Sequence, residues 1–333
     1  MRDRRSLATG VFVGLLAMSH VLAQGQGAAP PQAPAAGGAQ GRGAGAPPGG
    51  AGRGGRGAAY TPPAGSKELK DVLHNWTWHM GMLRSGAESE LIKTLDYYGA
   101  SGSIQVNGQP CTLTRYHVQA NYQIPGYRTD IGCAFKDKKT YSIVENMSGD
   151  YAWDDDIPGA ELEAGKGKST PRPDTLIERR IRLWAGPLGA PKAALAAAAG
   201  MHPLQSFGQN PATLLDRQAA AGVKGTTTLT WEGEKAVLTF PVPDVPGATA
   251  TATLVNYLPE RVVVKHGADT TEFVYGKWAD WNNPLFKIEA LYAGTIVERK
   301  NGAAVRNVTA KVTEIGQIYV IVPVPDSVQK AGK

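Results

Sequence analysis

The sequence predicts an α+β fold, a large curved antiparallel sheet with helices packed on its concave face. Three observations predict it. From Gly225 to Pro323 short strand-like segments follow one another almost without interruption, separated by polar, proline or Asn-Gly turns. Strands linked this closely pair only as antiparallel neighbours, giving a meander. Within that run Ile288, Ala290 and Tyr292 alternate with Lys287 and Glu289, the period of two that gives a sheet one buried and one wet face. Elsewhere apolar residues recur at helical spacing, and an apolar stripe on a helix needs a sheet to cover.

In chain order, residues 1–23 read as a cleavable signal peptide. Arg2, Arg4 and Arg5 form a basic flank, Leu7 to Met18 an apolar stretch, and Val21 and Ala23 stand at −3 and −1 of a cut before Gln24. That stretch is too short to cross a hydrocarbon core of about 30 Å, which takes roughly 20 residues. No later segment is long and apolar enough either, so no transmembrane anchor is expected, and the chain is expected in a periplasm or outside the cell. Gln24 to Ala59 contain only Gly, Ala, Pro, Gln and Arg. Such a segment cannot bury enough surface to offset its ordering entropy, so residues 24–60 are expected to be a disordered linker. The signal peptide and linker together explain the charge. Residues 1–59 hold six Arg and one Asp, a net +5 of the total +6, leaving 29 basic against 28 acidic residues, +1, for the rest. A nearly neutral folded part offers no footprint for nucleic acid.

Residues 61–325 are expected to form one β-rich domain, followed by a polar tail over 326–333. Leu69, Val72, Leu73, Trp76, Met80 and Leu83 predict a helix over Lys67 to Arg84. Strands are expected over 91–98, 103–106, 111–122 and 128–135, with Asn107-Gly108 as a tight turn. Residues 158–173, rich in Gly, Lys and Pro, read as a loop. Helices follow over 174–184 with Asp174 as N-cap, over 191–199 and over 211–221. The strand run then spans 226–231, 236–240, 248–257, 261–265, 270–275, 285–300 and 305–314, and Asn301-Gly302 is its strongest hairpin signal. Cys111 and Cys133 flank a midpoint at Tyr122, beside the turn signal Ile124-Pro125-Gly126. An even cysteine pair in an exported protein is expected to form a disulfide, here across two arms of a hairpin.

Motifs for chemistry are scarce. His74 and His79 lie five apart, one position off the spacing that puts two ligands on one helical face; His117, His202 and His266 stand alone. All read as surface or capping residues. Asp154-Asp155-Asp156 reads as a solvated acidic loop, with weak cation binding as the minority reading, because it lacks the EF-hand spacing and the separation of a glycosidase pair. Gly165 to Ser169 lacks the first glycine of a P-loop, since position 162 is Leu162. Ser327 to Lys330 matches SxxK by letter in a polar tail. No metal and no cofactor is expected.

Several segments in order resemble a known bacterial module: LIKTLDYYGASG at Leu91 to Gly102, YHVQANYQIPGYR at Tyr116 to Arg128, SGDYAWDDD at Ser148 to Asp156, and IERRIRLWAGPLGAPKAAL at Ile177 to Leu195. LPERVVVKHG, EFVYGKWADW, NVTAKVTEI and the closing VPVP continue the likeness. Together they are similar to the exported, non-catalytic domain that precedes the metallo-β-lactamase-fold hydrolase domain in some bacterial proteins. That domain in turn resembles the outer-membrane lipoprotein-carrier fold, an incomplete β-barrel closed by helices over an apolar cavity. The likeness covers most of Lys67 to Pro325. This sequence has no HxHxDH motif, so the resemblance implies binding and not hydrolysis.

The expected function is therefore non-enzymatic: an exported protein that binds an apolar ligand, such as a lipid or acyl chain, in a half-barrel cavity. The helix bearing Trp76, Met80 and Leu83 is expected to lid a pocket lined by Trp231, Phe240, Tyr257 and Phe273. The alternatives are a structural envelope or cell-surface protein that binds a protein partner through strand edges or an aromatic patch, and an unrecognised enzyme centred on Asp154 to Asp156.

Overall fold

The structure, a computed structural model, describes residues 60–84, 88–280, 290–316 and 319–331. The expected signal peptide, linker residues 24–59, and Trp281, Lys287, Ile288 and Glu289 lie outside the described residues.

The first helix, α1 (Leu69–His79), is shorter than its apolar spacing suggests. Gly81, at φ 67°, turns the chain, and Leu83 leaves the helix to enter β1 (Leu83–Arg84), paired with β2 (Ser89–Glu90). Then come β3 (Thr94–Val106), β4 (Gln109–Asn121), β5 (Gly126–Ala134), β6 (Thr140–Ser148), β7 (Tyr151–Asp155) and the short β8 (Ser169–Pro171). Asn107 and Gly108 join β3 to β4 with φ 50° and 75°, the paired positive values of a type I′ turn.

A 3₁₀ turn at Pro173–Thr175 leads into α2 (Leu176–Ala185), α3 (Gly189–Ala198), α4 (Pro203–Ser206) and α5 (Pro211–Ala220). Asp174 does not cap: its carboxylate binds the Arg172 guanidinium at 2.9 and 3.1 Å, and α2 has no side-chain N-cap bond. Asn210 does cap α5, accepting from the Thr213 N–H at 3.1 Å. The second strand run is β9 (Thr228–Glu232), β10 (Lys235–Pro241), β11 (Thr249–Val255), β12 (Leu258–His266), β13 (Asp269–Asp280), β14 (Leu291–Lys300) and β15 (Ala303–Ile315), followed by α6 (Asp326–Ala331). Asn301-Gly302 forms the expected tight turn, with φ 50° and 82°.

The described strands from β3 to β15 make one open antiparallel sheet of 13, in the order β8-β7-β6-β5-β4-β3-β15-β14-β13-β12-β11-β10-β9. Two meanders are thus joined at a seam where β15 pairs with β3. Gly102 lies on that seam at φ 147°, and a Cβ there would stand 2.0 Å from the Asn307 carbonyl oxygen. Only glycine permits so close an approach, and the register shifts one residue further on. The strands expected over 91–98 and 103–106 are consequently one long strand, with the glycines at its bend.

The helices leave the sheet at one edge, β8, and rejoin it at the other, β9, having packed on the concave face. α2 lies on β5, β6, β7 and β12, and α3 on β10. Val72, Leu73, Trp76, Ala193, Ala194, Leu238, Phe240 and Val262 are buried in one continuous core between these layers. Cys111 and Cys133 form a disulfide between β4 and β5, with their Cα atoms 5.6 Å apart. Residues 319–331 join the fold as well: Val320, Val322 and Val328 pack on Trp153 of β7 in a separate cluster. No helix of the described residues is long and apolar enough to cross a membrane.

Candidate functional site

A cavity with a mouth open to solvent lies between the sheet and the end of α2. Its floor comes from six adjacent strands, β5, β4, β3, β15, β14 and β13, because alternate residues of each point to the concave side. Tyr97, Tyr116, Tyr122, Tyr127, Tyr275 and Tyr292 supply most of the floor, with Leu95, Val118, Phe273, Ile296 and Val308 between them. Arg182 and Leu183 of α2, then Gly186 and Pro187, form the roof. The Tyr97 ring lies 5.3 Å from that of Tyr292 and 6.1 Å from that of Tyr116, both tilted, within the range of favourable aromatic pairs. Tyr275 donates to the Ala185 carbonyl at 2.7 Å, tying β13 to the end of α2. Burial pushes the Tyr97, Tyr275 and Tyr292 hydroxyls well above the usual phenol range, so they stay protonated donors.

One side of the cavity is charged. Arg182 meets Glu298 of β14 at 3.1 Å, Glu145 of β6 at 3.4 Å and Glu178 on its own helix. Arg306 of β15 meets Glu145 at 2.6 Å and Glu298 at 3.4 Å. Lys300 adds a 3.5 Å contact to Glu178. Burial works against the Glu145 charge, but Arg306 and Arg182 overcome it and hold the carboxyl down to about 2. The same arginine keeps Glu178 below the usual carboxylate range. Buried charges persist only when paired and hydrogen-bonded, and here the pairing fastens the roof helix to β6 and β14, which Arg306 in turn ties to β15.

Of the residues that the sequence nominated for a pocket, Phe273 lines the cavity. Trp76, Met80 and Phe240 are core residues, at 0%, 0% and 1% exposure. Leu83 is half-buried in β1. Trp231, on edge strand β9, carries the Lys67 ammonium over its ring at 5.1 Å, and Tyr257 stacks on His79 at 5.2 Å. The helix over the cavity is α2, whereas α1 packs on α3 and α5. The tyrosines and the charged group went unnominated, although Glu298 continues the inward alternation of Ala290 and Tyr292.

The acidic run is not a solvated loop. Asp154 and Asp155 belong to β7, point to opposite faces and are buried at 8% and 6% exposure. Asp154 pairs with Arg179, which is 2% exposed, and with Arg172 at 2.7 Å. Asp155 accepts from Ser169 at 2.6 Å and from Asn146 at 2.9 Å, and burial raises its carboxyl. Asp156 is exposed and accepts from the Lys168 N–H at 2.8 Å. Among the described residues no group of three or more His, Cys, Asp or Glu side chains is arranged to hold a metal.

His74 departs from the surface or capping role read for the histidines: it is 2% exposed, beneath Tyr60 and beside Glu88. His117 bridges to Asp96 at 2.9 Å under a stacked Tyr98 on the outer face, and His202 accepts from Leu204 N–H at the start of α4. No family model matches this chain, and no curated protein matches it.

Proposed function

We propose that this chain is a periplasmic or extracellular carrier or receptor that holds an apolar small molecule, lipids included, in the concave-face cavity. The observation that carries the reading is the cavity itself: a chamber walled by aromatic and aliphatic side chains, with a few polar groups on one side, on a sheet that stays open. Pockets of this composition, at the mouth of a partial barrel, are the usual place for small apolar ligands. The segmental likeness to the lipoprotein-carrier fold supports the same reading. So does the Cys111–Cys133 disulfide, a bond that persists in oxidising compartments.

Titration with the neutral dye Nile red tests it. Saturable binding at one site per chain is expected, and Val308→Trp, which fills the chamber from its floor, should abolish that binding while the thermal midpoint falls by only a few degrees, the usual effect of overpacking by roughly 1–3 kcal/mol. Absence of saturable binding, or binding untouched by Val308→Trp, would overturn the reading.

A further inference from the structure

The charged side of the cavity is balanced. Three cations, Arg182, Arg306 and Lys300, stand against three carboxylates, Glu145, Glu178 and Glu298, within one connected network. A charged ligand entering beside it brings a charge with no counterpart against buried ion pairs that are already matched, which is unfavourable. The guanidinium nitrogens are nearly all used within the network. The exception is Arg306 Nη1, whose contact among the described residues is the Tyr116 hydroxyl at 3.5 Å, a long and weak bond. Arg306 is 10% exposed, and both it and Tyr116 line the cavity. Guanidinium nitrogen only donates, so the partner suited to it is an acceptor oxygen.

The rest of the chamber is lined by aromatic and aliphatic residues in equal number, and its largest side chains, six tyrosines and Phe273, are the aromatic ones. Tyr97 presents a tilted ring to both Tyr116 and Tyr292, and Phe273 and Tyr275 line the same chamber from β13. Such a wall gains more from a flat aromatic ring than from a saturated chain, because ring pairs add to area burial and a rigid ring surrenders fewer rotors on binding.

Resting on the cavity reading above, we propose that the preferred ligand is an uncharged planar aromatic molecule carrying a carbonyl-type acceptor oxygen, which seats between Arg306 Nη1 and the Tyr116 hydroxyl. Four probes separate the features on the whole purified chain by calorimetry: acetylnaphthalene, naphthalene, naphthoate, and a straight-chain methyl ketone with the same number of heavy atoms as acetylnaphthalene. Acetylnaphthalene should bind roughly tenfold more tightly than each of the others, the effect of about one well-made buried hydrogen bond or its equivalent. Tyr116→Phe should reduce the acetylnaphthalene affinity several-fold and leave naphthalene unchanged. Arg306→Lys, which keeps the charge and removes the fork, should erase the advantage of the ketone over the arene. If Arg306→Lys does not fold, Tyr116→Phe alone decides the acceptor contact. Equal binding of acetylnaphthalene and naphthalene overturns the acceptor contact, tightest binding of naphthoate overturns the neutral ligand, and tightest binding of the straight-chain ketone overturns the aromatic one. Each of these leaves Nile red binding in the cavity intact, so failure of this proposal is distinguishable from failure of the cavity reading, in which Nile red does not bind either.

Discussion

Glu145 shows how a single residue couples the roof of the cavity to its floor. Its carboxylate takes both guanidinium hydrogen-bond sets, from Arg182 on the helix and Arg306 on the sheet, and its pKa lies at about 2 in place of 4.5. A carboxyl depressed by folding stabilises the native state above its unfolded pKa, and that contribution is lost as pH falls through the folded value. The window is therefore pH 4.5 down to about 2, and the full contribution at neutral pH is roughly 3 kcal/mol on the linkage relation. Glu145→Gln should lower stability at neutral pH by that order and flatten the stability profile across the acid window. Urea unfolding at a series of pH values measures both, and parallel profiles for the two proteins would refute the coupling. Arg182 and Arg306 were invisible as partners in the sequence, since 124 residues separate them and nothing in their local pattern pairs them.

At the scale of elements, the hairpin of β4 and β5 is the unit that the sequence described most completely. Its two strands, its turn signal and its disulfide are all local properties, and all are found. Cys111→Ser with Cys133→Ser should cost about 3 kcal/mol, the loop-closure value for a short hairpin. Equal denaturation midpoints with and without a reductant would show that the bridge contributes nothing. Four of the helices were legible in approximate span; the sequence missed α4, which is a single turn, and α6, which occupies the expected polar tail. Which of them covers the cavity was not legible, because α1 and α2 both carry an apolar stripe and their placement depends on long-range packing. The same limit misdirected the choice of lining residues. Large apolar side chains such as Trp76 and Phe240 mark the interior in general, whereas this cavity carries inward polar groups, of which Glu298 is revealed by period-two alternation once it is followed along β14 past Tyr292. Asp154 and Asp155 misled for a related reason: consecutive acids suggest solvent, but on a strand they point to opposite faces and each finds its own partners.

For the molecule as a whole, the antiparallel order could be read from short connections, but the seam could not, since β3 and β15 are separated by almost the full length of the domain. The seam makes the two meanders interdependent. A chain ending at Lys300 lacks β15 and α6, leaves β3 and β14 as facing open edges, and exposes the inward side chains of both. Such a chain should show no cooperative unfolding transition by circular dichroism and should aggregate; a sharp transition near that of the intact protein would mean that the halves fold independently.

That position of β15, seventh of thirteen strands in space but last in sequence, also sets a timetable. A ribosome delivers the centre of the sheet after both flanks, so the emerging chain carries two half-sheets that cannot merge until β15 is available. Contacts this distant in sequence form slowly. During that delay the edges of β3 and β14 stand unpaired, each waiting for the one strand that serves them both.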